Sequence, residues 1–122
     1  MQLRYSIIFV NDLDRSRRFY VDLLGVPIRS EDRSSIELDT GTTTLALHQA
    51  HLGVSHHHPP TAAGSLRIGF YTEDLVTLHR KLIEAGVPCI SPPEGRFGLS
   101  VGLYEDPDGV QFTLAEMNAE PA

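Results

Sequence analysis

Three observations predict an α+β fold of two tandem βαβββ modules forming a cleft. The first is a repeat. A strand-like run, then Asn11-Asp12-Leu13 and a helical pattern closing at Gly25-Val26-Pro27, recurs as a run followed by Glu73-Asp74-Leu75 and a pattern closing at Gly86-Val87-Pro88. The opening triplets lie 62 residues apart and the closing triplets 61 (73 − 11 and 86 − 25), so the second helix is one residue shorter. The second is that each helical pattern is followed by alternating or β-branched runs broken at Asp, Gly and Pro. The third is size: 122 residues make one domain, yet a module of about sixty is too small to bury both faces of its own sheet. A sheet with a helix on one face leaves the other open, and two such faces meet or curl around a cavity.

The elements run in order along the chain. Leu3 to Val10 reads as the first strand. The helix after it rests on Phe19, Tyr20, Leu23 and Leu24 at helical spacing, with Asp14 as its N-cap. It stops at Gly25, which can take the left-handed conformation, and Pro27 forbids continuation. Ile36 to Leu38 and Thr42 to His48 read as strands about an Asp39-Thr40-Gly41 turn. Residues 50–64, rich in His, Pro, Gly and Ala, read as a linker between module one (1–49) and module two (65–118) of a single domain, 1–122. Leu66 to Thr72 opens the second module. Leu75, Leu78, Leu82 and Ile83 form the apolar stripe of its helix, which places His79 on the polar, solvent-exposed face. Cys89 reads as a buried strand thiol. Leu99 to Tyr104 and Val110 to Leu114 flank the turn Asp106-Pro107-Asp108-Gly109.

Composition narrows the function classes. Ten Lys plus Arg against sixteen Asp plus Glu give a formal charge of −6, which argues against a nucleic-acid partner. The acids cluster late: Glu105 to Glu120 holds five and no base, so negative potential is expected around the last hairpin. The single cysteine rules out an internal disulfide and suits a reducing cytoplasm. The longest apolar run, Ile7-Ile8-Phe9-Val10, is far short of the ~20 residues of a membrane span, and Met1-Gln2-Leu3-Arg4 has no signal-peptide character.

Three local signatures carry a resemblance over essentially the whole chain: Phe9-Val10-Asn11-Asp12-Leu13-Asp14-Arg15-Ser16 followed by Phe19-Tyr20; Leu23-Leu24-Gly25; and Glu105-Asp106-Pro107-Asp108-Gly109. In their order and spacing they resemble the vicinal oxygen chelate superfamily, which groups glyoxalase I, extradiol dioxygenases, fosfomycin resistance enzymes and bleomycin resistance proteins. The resemblance implies the paired-module fold. In metal-dependent members it also implies four ligands, from the first and last strands of each module. Carried over through the Asn-Asp-Leu anchor, those positions fall on Tyr5, Ala46, Arg67 and Thr113. None is a good ligand, and a guanidinium has no lone pair to offer. On the same strand faces only His48, two residues beyond Ala46, is a candidate, so no metal and no other cofactor is expected. His51 and His56 to His58 add imidazoles, but consecutive loop residues point apart and the stretch has no carboxylate; a polar linker is the expected role.

Strand parity then places Tyr5, Ile7 and Phe9, Arg67, Gly69 and Tyr71, Ala46, His48, Gln111 and Thr113 on the cleft wall, with Ser6, Ile8 and Val10 against the helix. Of these, Tyr5, Ile7, Phe9, His48, Arg67, Tyr71, Gln111 and Thr113 are the expected ligand contacts, although Ile7 and Phe9 equally suit core packing. An inward Arg67 needs an anion or a carboxylate, Glu116 or Glu37 being the ones in question.

Three functions compete. One is a metal-free protein of the bleomycin resistance kind that binds a small organic ligand in the inter-module cleft, which the resemblance makes a homodimer. Another is a metal-independent isomerase or lyase with His48 as base, Tyr5 as its acid–base partner and Arg67 as anion clamp. The third is a metal-dependent glyoxalase or dioxygenase with relocated ligands.

Overall fold

The computed structural model describes residues 1–52, 57–96 and 98–117. The chain divides into two compact units, 1–62 and 63–122. In the first, β1 (Tyr5–Val10) leads into α1 (Leu13–Arg17), which continues as a π-helical stretch Arg18–Leu23; β2 (Ile28–Glu31), β3 (Ser35–Asp39) and β4 (Thr44–Gln49) complete a sheet ordered β1-β4-β3-β2. A short hairpin of β5 (His51–Leu52) and β6 (His57–His58) comes next. The second unit repeats the plan with β7 (Arg67–Tyr71), α2 (Leu75–Glu84), β8 (Cys89–Arg96), β9 (Leu99–Glu105) and β10 (Gln111–Met117), ordered β7-β10-β9-β8. In both, first and last strands pair in parallel, a geometry that needs the intervening crossover.

Matching hydrogen bonds hold each helix to its sheet. Gln49 at the end of β4 accepts from the Leu13 N–H (2.9 Å), and Glu116 near the end of β10 accepts from the Leu75 N–H (3.1 Å). These satisfy N–H groups that a helix start leaves without partners. The N-caps are Asp12, accepting from Arg15 N–H at 3.1 Å, and Asp74, accepting from Thr77 N–H at 3.0 Å. Asp14, expected as the cap, lies instead in the first turn of α1. Hydrogen bonds from the Thr77 side chain and then its backbone hold the Asp74 carboxyl below the ordinary carboxylate value.

The one-residue mismatch between the copies has a structural home. In the π-helical stretch Leu24 N–H reaches back to Phe19 C=O (2.9 Å), five residues rather than four. An extra residue in a helix is absorbed in this way. Beneath it, Ile8, Val10, Ile36, Leu38, Leu45 and Leu47 are buried with Leu13, Phe19 and Tyr20.

The core of the second unit departs from expectation at two helix positions. Ile83 is exposed, whereas His79 is half-buried and its Nδ1 shares a 2.8 Å hydrogen bond with Tyr104 Oη. Leu75, Leu78, His79 and Leu82 form the i, i+3, i+4, i+7 set that faces the sheet. Tyr104 is fully buried and stacks on Phe112 at 5.5 Å. Burial, and then the neighbouring Cys89, push its phenol up to about 12. Its side chain lies across Gly102, where an added Cβ would come within 2.5 Å of the phenolic oxygen. Cys89 opens the edge strand β8 and is half-buried; the edge position also accommodates Pro92 and Pro93.

The segment 50–64 contains structure as well. His51 pairs with His58 in the β5–β6 hairpin, and Thr61 exchanges two 2.8 Å hydrogen bonds with Phe9, its N–H to the carbonyl and its hydroxyl from the N–H. His56 lies outside the described residues. Of the late acids, Asp106 is buried and accepts from the Asp108 and Val110 N–H groups, both at 2.9 Å, and Glu116 holds α2; Glu120 lies outside the described residues. No helix among the described residues is long and apolar enough to cross a membrane.

The Tyr104 cluster can be tested in two ways. Gly102→Ala should destabilise the protein by about 1–3 kcal/mol in denaturant unfolding, because the buried ring has nowhere to move. Since the folded-state pKa of Tyr104 lies above its ordinary value of 10.0, the stabilisation is complete below pH 10 and lost as pH rises through about 12. Wild type should therefore lose stability relative to Tyr104→Phe across that alkaline window; parallel curves for the two proteins would contradict the assignment.

Candidate functional site

Parity along the strands separates a core face from a helix-free face in each unit. In β1, Ile8 and Val10 are buried, whereas Tyr5 is 64% exposed and Ile7 38%, with Phe9 intermediate. Ser6, expected against the helix, is at the start of the strand and exposed. The register aligns three rows on the helix-free face of unit one: Tyr5, Thr44 and Asp39; Ile7, Ala46 and Glu37; Phe9, His48 and Ser35. Unit two repeats them as Arg67, Gln111 and Glu105; Gly69, Thr113 and Leu103; Tyr71, Ala115 and Val101. All eight expected ligand contacts lie on these rows.

Each row has its own chemistry. The first is polar: Arg29 from β2 donates to Thr44 Oγ1 and pairs with Asp39 at 3.0 Å, and Arg67 Nη2 donates to Gln111 Oε1 at 2.9 Å. The middle row is low at Ala46 and Gly69. Ala46 is buried beside Ile7, and a Cβ on Gly69 would meet Thr113 Oγ1 at 3.0 Å, so glycine keeps that floor flat. The third is aromatic: Phe9 meets His48 edge-on (5.7 Å) and is stacked by His58 at 5.0 Å with the rings 4° apart, while Tyr71 is 76% exposed.

Arg67 differs from expectation. Its side chain is exposed, so no buried charge requires neutralising, and its hydrogen bond goes to a neutral amide in its own sheet. Glu116 is on the other face, holding α2, and Glu37 Oε2 accepts from Ser30 Oγ at 3.1 Å. The geometry also separates Tyr5 from His48. They stand in the first and third rows, four strand positions or roughly 13 Å apart, with Ile7 and Ala46 between.

Unit one also holds a feature that sequence reasoning misses. A depression of ≈ 430 Å³ on the helix-free face is lined by Arg4, Tyr5, Arg29, Glu37, Thr42 and Thr44. Among these, only Tyr5 is an expected ligand contact. Arg4, Arg29 and the two threonines are brought together by the β1–β4 and β2–β3–β4 pairings, across up to forty positions of sequence (44 − 4). The paired arginine-and-threonine chemistry leaves no local spacing signal, although the charge of Arg29 and the acidic turn at Asp39 are both visible in the sequence.

The four positions at which the resemblance implies metal ligands are equivalent in the two sheets: Tyr5 and Arg67 in the first rows, Ala46 and Thr113 in the second. A phenol, a methyl, a guanidinium and a hydroxyl do not fit a divalent ion that takes imidazole and carboxylate. Among the described residues, no three His, Cys, Asp or Glu side chains stand together as a metal-binding group elsewhere.

Comparison with known proteins agrees with this architecture. A protein of unknown function from Agrobacterium tumefaciens is 27% identical, with TM-score 0.79 over 95% of this chain and 94% of that one. A member of the glyoxalase/bleomycin resistance protein/dioxygenase superfamily from Sphaerobacter thermophilus is 25% identical, with TM-score 0.72 over 95% and 97%. TnmS3, an antibiotic binding protein from Streptomyces sp. CB03234, is 22% identical, with TM-score 0.76 over 97% of each chain. No curated protein matches the chain at a significant level. The family model described as Glyoxalase/Bleomycin resistance protein/Dioxygenase superfamily matches residues 2–114. The chain belongs to the glyoxalase/bleomycin resistance protein/dioxygenase superfamily.

Proposed function

We propose that this protein binds a small organic molecule on the helix-free face of its sheets and does so without a resident metal. The observation that carries the reading is the identity of the four equivalent positions, Tyr5, Ala46, Arg67 and Thr113, in rows that otherwise suit recognition. A polar first row, a low middle row and an aromatic third row present hydrogen-bonding groups at one end and π-faces at the other, the usual makeup of a small-molecule site. Tyr5, Ile7, Phe9 and His48 in unit one, and Arg67, Tyr71, Gln111 and Thr113 in unit two, are the contacts proposed. A fold neighbour that is an antibiotic binding protein shows that this fold can serve binding.

The separation of Tyr5 from His48 weighs against the enzyme reading. An acid–base pair acting at one carbon must bring both groups within about 3 Å of the atoms they serve. Roughly 13 Å of strand between them, occupied by Ile7 and Ala46, does not offer that pairing. A homodimer of cytoplasmic protein is the state proposed, and light scattering that gives twice the chain mass of 13.5 kDa would support the dimer.

Elemental analysis of untagged protein purified without a metal column should find far less than one divalent ion per chain. A ligand found by thermal-shift screening should keep its affinity in EDTA. Stoichiometric metal, or binding abolished by chelation, would overturn the reading. Tyr5→Ala should weaken such a ligand about tenfold, near 1.4 kcal/mol, without lowering the melting midpoint of the free protein, because its side chain is exposed.

A further inference from the structure

The depression in unit one has a composition that narrows the chemistry of its ligand, an inference that rests on the proposed binding function. Its lining contains two guanidinium groups, from Arg4 and Arg29, three hydroxyls, from Tyr5, Thr42 and Thr44, and one carboxylate, Glu37. Their commitments differ. Arg29 is held by Asp39 at 3.0 Å and by Thr44 Oγ1, and Glu37 accepts from Ser30 Oγ. Arg4 forms no ion pair among the described residues, so its charge is free to meet a ligand. Because Thr44 Oγ1 already accepts from Arg29, its own proton is available to donate.

We propose that this depression receives the carboxylate of the ligand, whose apolar or aromatic body runs from it along Ile7 toward Phe9. Charge balance selects the class. Arg29 is offset by Asp39 and Glu37 already accepts from Ser30 Oγ, so Arg4 is the one charged side chain of the lining without a side-chain partner among the described residues, and a monoanion pairs with it one to one. A phosphate dianion would exceed it by a full charge beside Glu37. An amine would meet two guanidinium groups in the same lining. The reach is suitable too: Ile7 lies two strand positions, about 7 Å, beyond Tyr5, the distance a short alkyl linker spans before an aromatic ring meets the third row. Unit two repeats the pattern, for its first row also carries a guanidinium on the helix-free face, Arg67. The ligand class is therefore a small amphipathic organic acid rather than an aromatic cation.

The test uses an isosteric series on the full-length protein: 4-phenylbutanoate, 4-phenylbutan-1-ol and 4-phenylbutylamine, titrated calorimetrically at about 0.15 M salt, where surface charges are screened beyond ~8 Å. The acid should bind at least tenfold more tightly than the alcohol, and the amine most weakly. Arg4→Gln should reduce the acid to the alcohol's affinity while leaving the alcohol unchanged, whereas Arg80→Gln, an equal change of net charge on the exposed side of α2, should keep the acid's advantage. Several results would overturn the proposal. If the alcohol or amine binds as well as the acid, the anion subsite is wrong although the binding function stands. If the acid's advantage survives Arg4→Gln but disappears in Arg67→Gln, the carboxylate sits in unit two. If inorganic phosphate competes with the acid at equal concentration, the site is a phosphate site. If no member of the series binds, the binding function itself fails for this class.

Discussion

A four-stranded sheet carrying a single helix can bury only one of its faces, and everything else in this protein depends on which face that is. In each unit the helix is held to that face where a side chain at the end of the last strand accepts from the first N–H of the helix: Gln49 to Leu13 and Glu116 to Leu75. A neutral amide serves in one copy and a carboxylate in the other, and both satisfy a donor that the helix cannot satisfy itself. Once the helix is held there, strand alternation decides the rest. Ile8, Val10, Leu45 and Leu47 go to the core of unit one, and Tyr5, Ile7, Phe9 and His48 go to the helix-free face. The same rule sends Phe112 and Leu114 inward and Arg67, Tyr71, Gln111 and Thr113 outward.

The helix-free faces then inherit a gradient. Equivalent rows run from guanidinium and hydroxyl groups, through a low floor of Ala46 or Gly69, to aromatic rings. In superfamily members that use a metal, the first and second rows are where it would be held. At those positions this chain carries Tyr5, Ala46, Arg67 and Thr113, a phenol, a methyl, a guanidinium and a hydroxyl in place of imidazole and carboxylate. One scaffold can carry different chemistries on these rows because the backbone register that fixes the rows is independent of the side chains placed on them. The folding core does not constrain them either. Its most demanding element in the second unit is the Gly102–Tyr104–His79 contact, which lies on the opposite face.

Much of this is legible in the sequence, because two copies of one signal order can be read against each other. The repeat, the glycine stops and the hairpin turns each have a local chemical cause, so element order and strand parity can be read without coordinates. The departures also have physical causes. Helical spacing alone favours Asp14 over Asp12 as a cap, although the Asp shared by the two opening triplets marks the right position. Polarity assigns His79 to solvent, but its spacing from Leu75 and Leu82 puts it on the buried stripe, where Tyr104 offers it a partner. The extra residue in the first helix becomes a π-helical stretch, which no periodicity template distinguishes from a frayed α-helix. Arg4 and Arg29 escape notice as a pair because only the pairing of β1 with β4 and of β2 with β3 brings them to one depression, and register between distant strands is not written in either strand alone.

If strand parity governs function as it governs folding, the ligand occupies the helix-free face and not the core or the helix surface. Methyl-resolved NMR of the protein with its best-binding small molecule tests this directly, because neighbouring residues on one strand report opposite faces. Ligand-induced shifts and intermolecular NOEs are predicted at Ile7 and Ala46, with Ile8 and Leu47 essentially unmoved. Contacts confined to Ile8 and Leu47, or to the exposed Val76 and Ile83 of α2, would contradict a helix-free binding face.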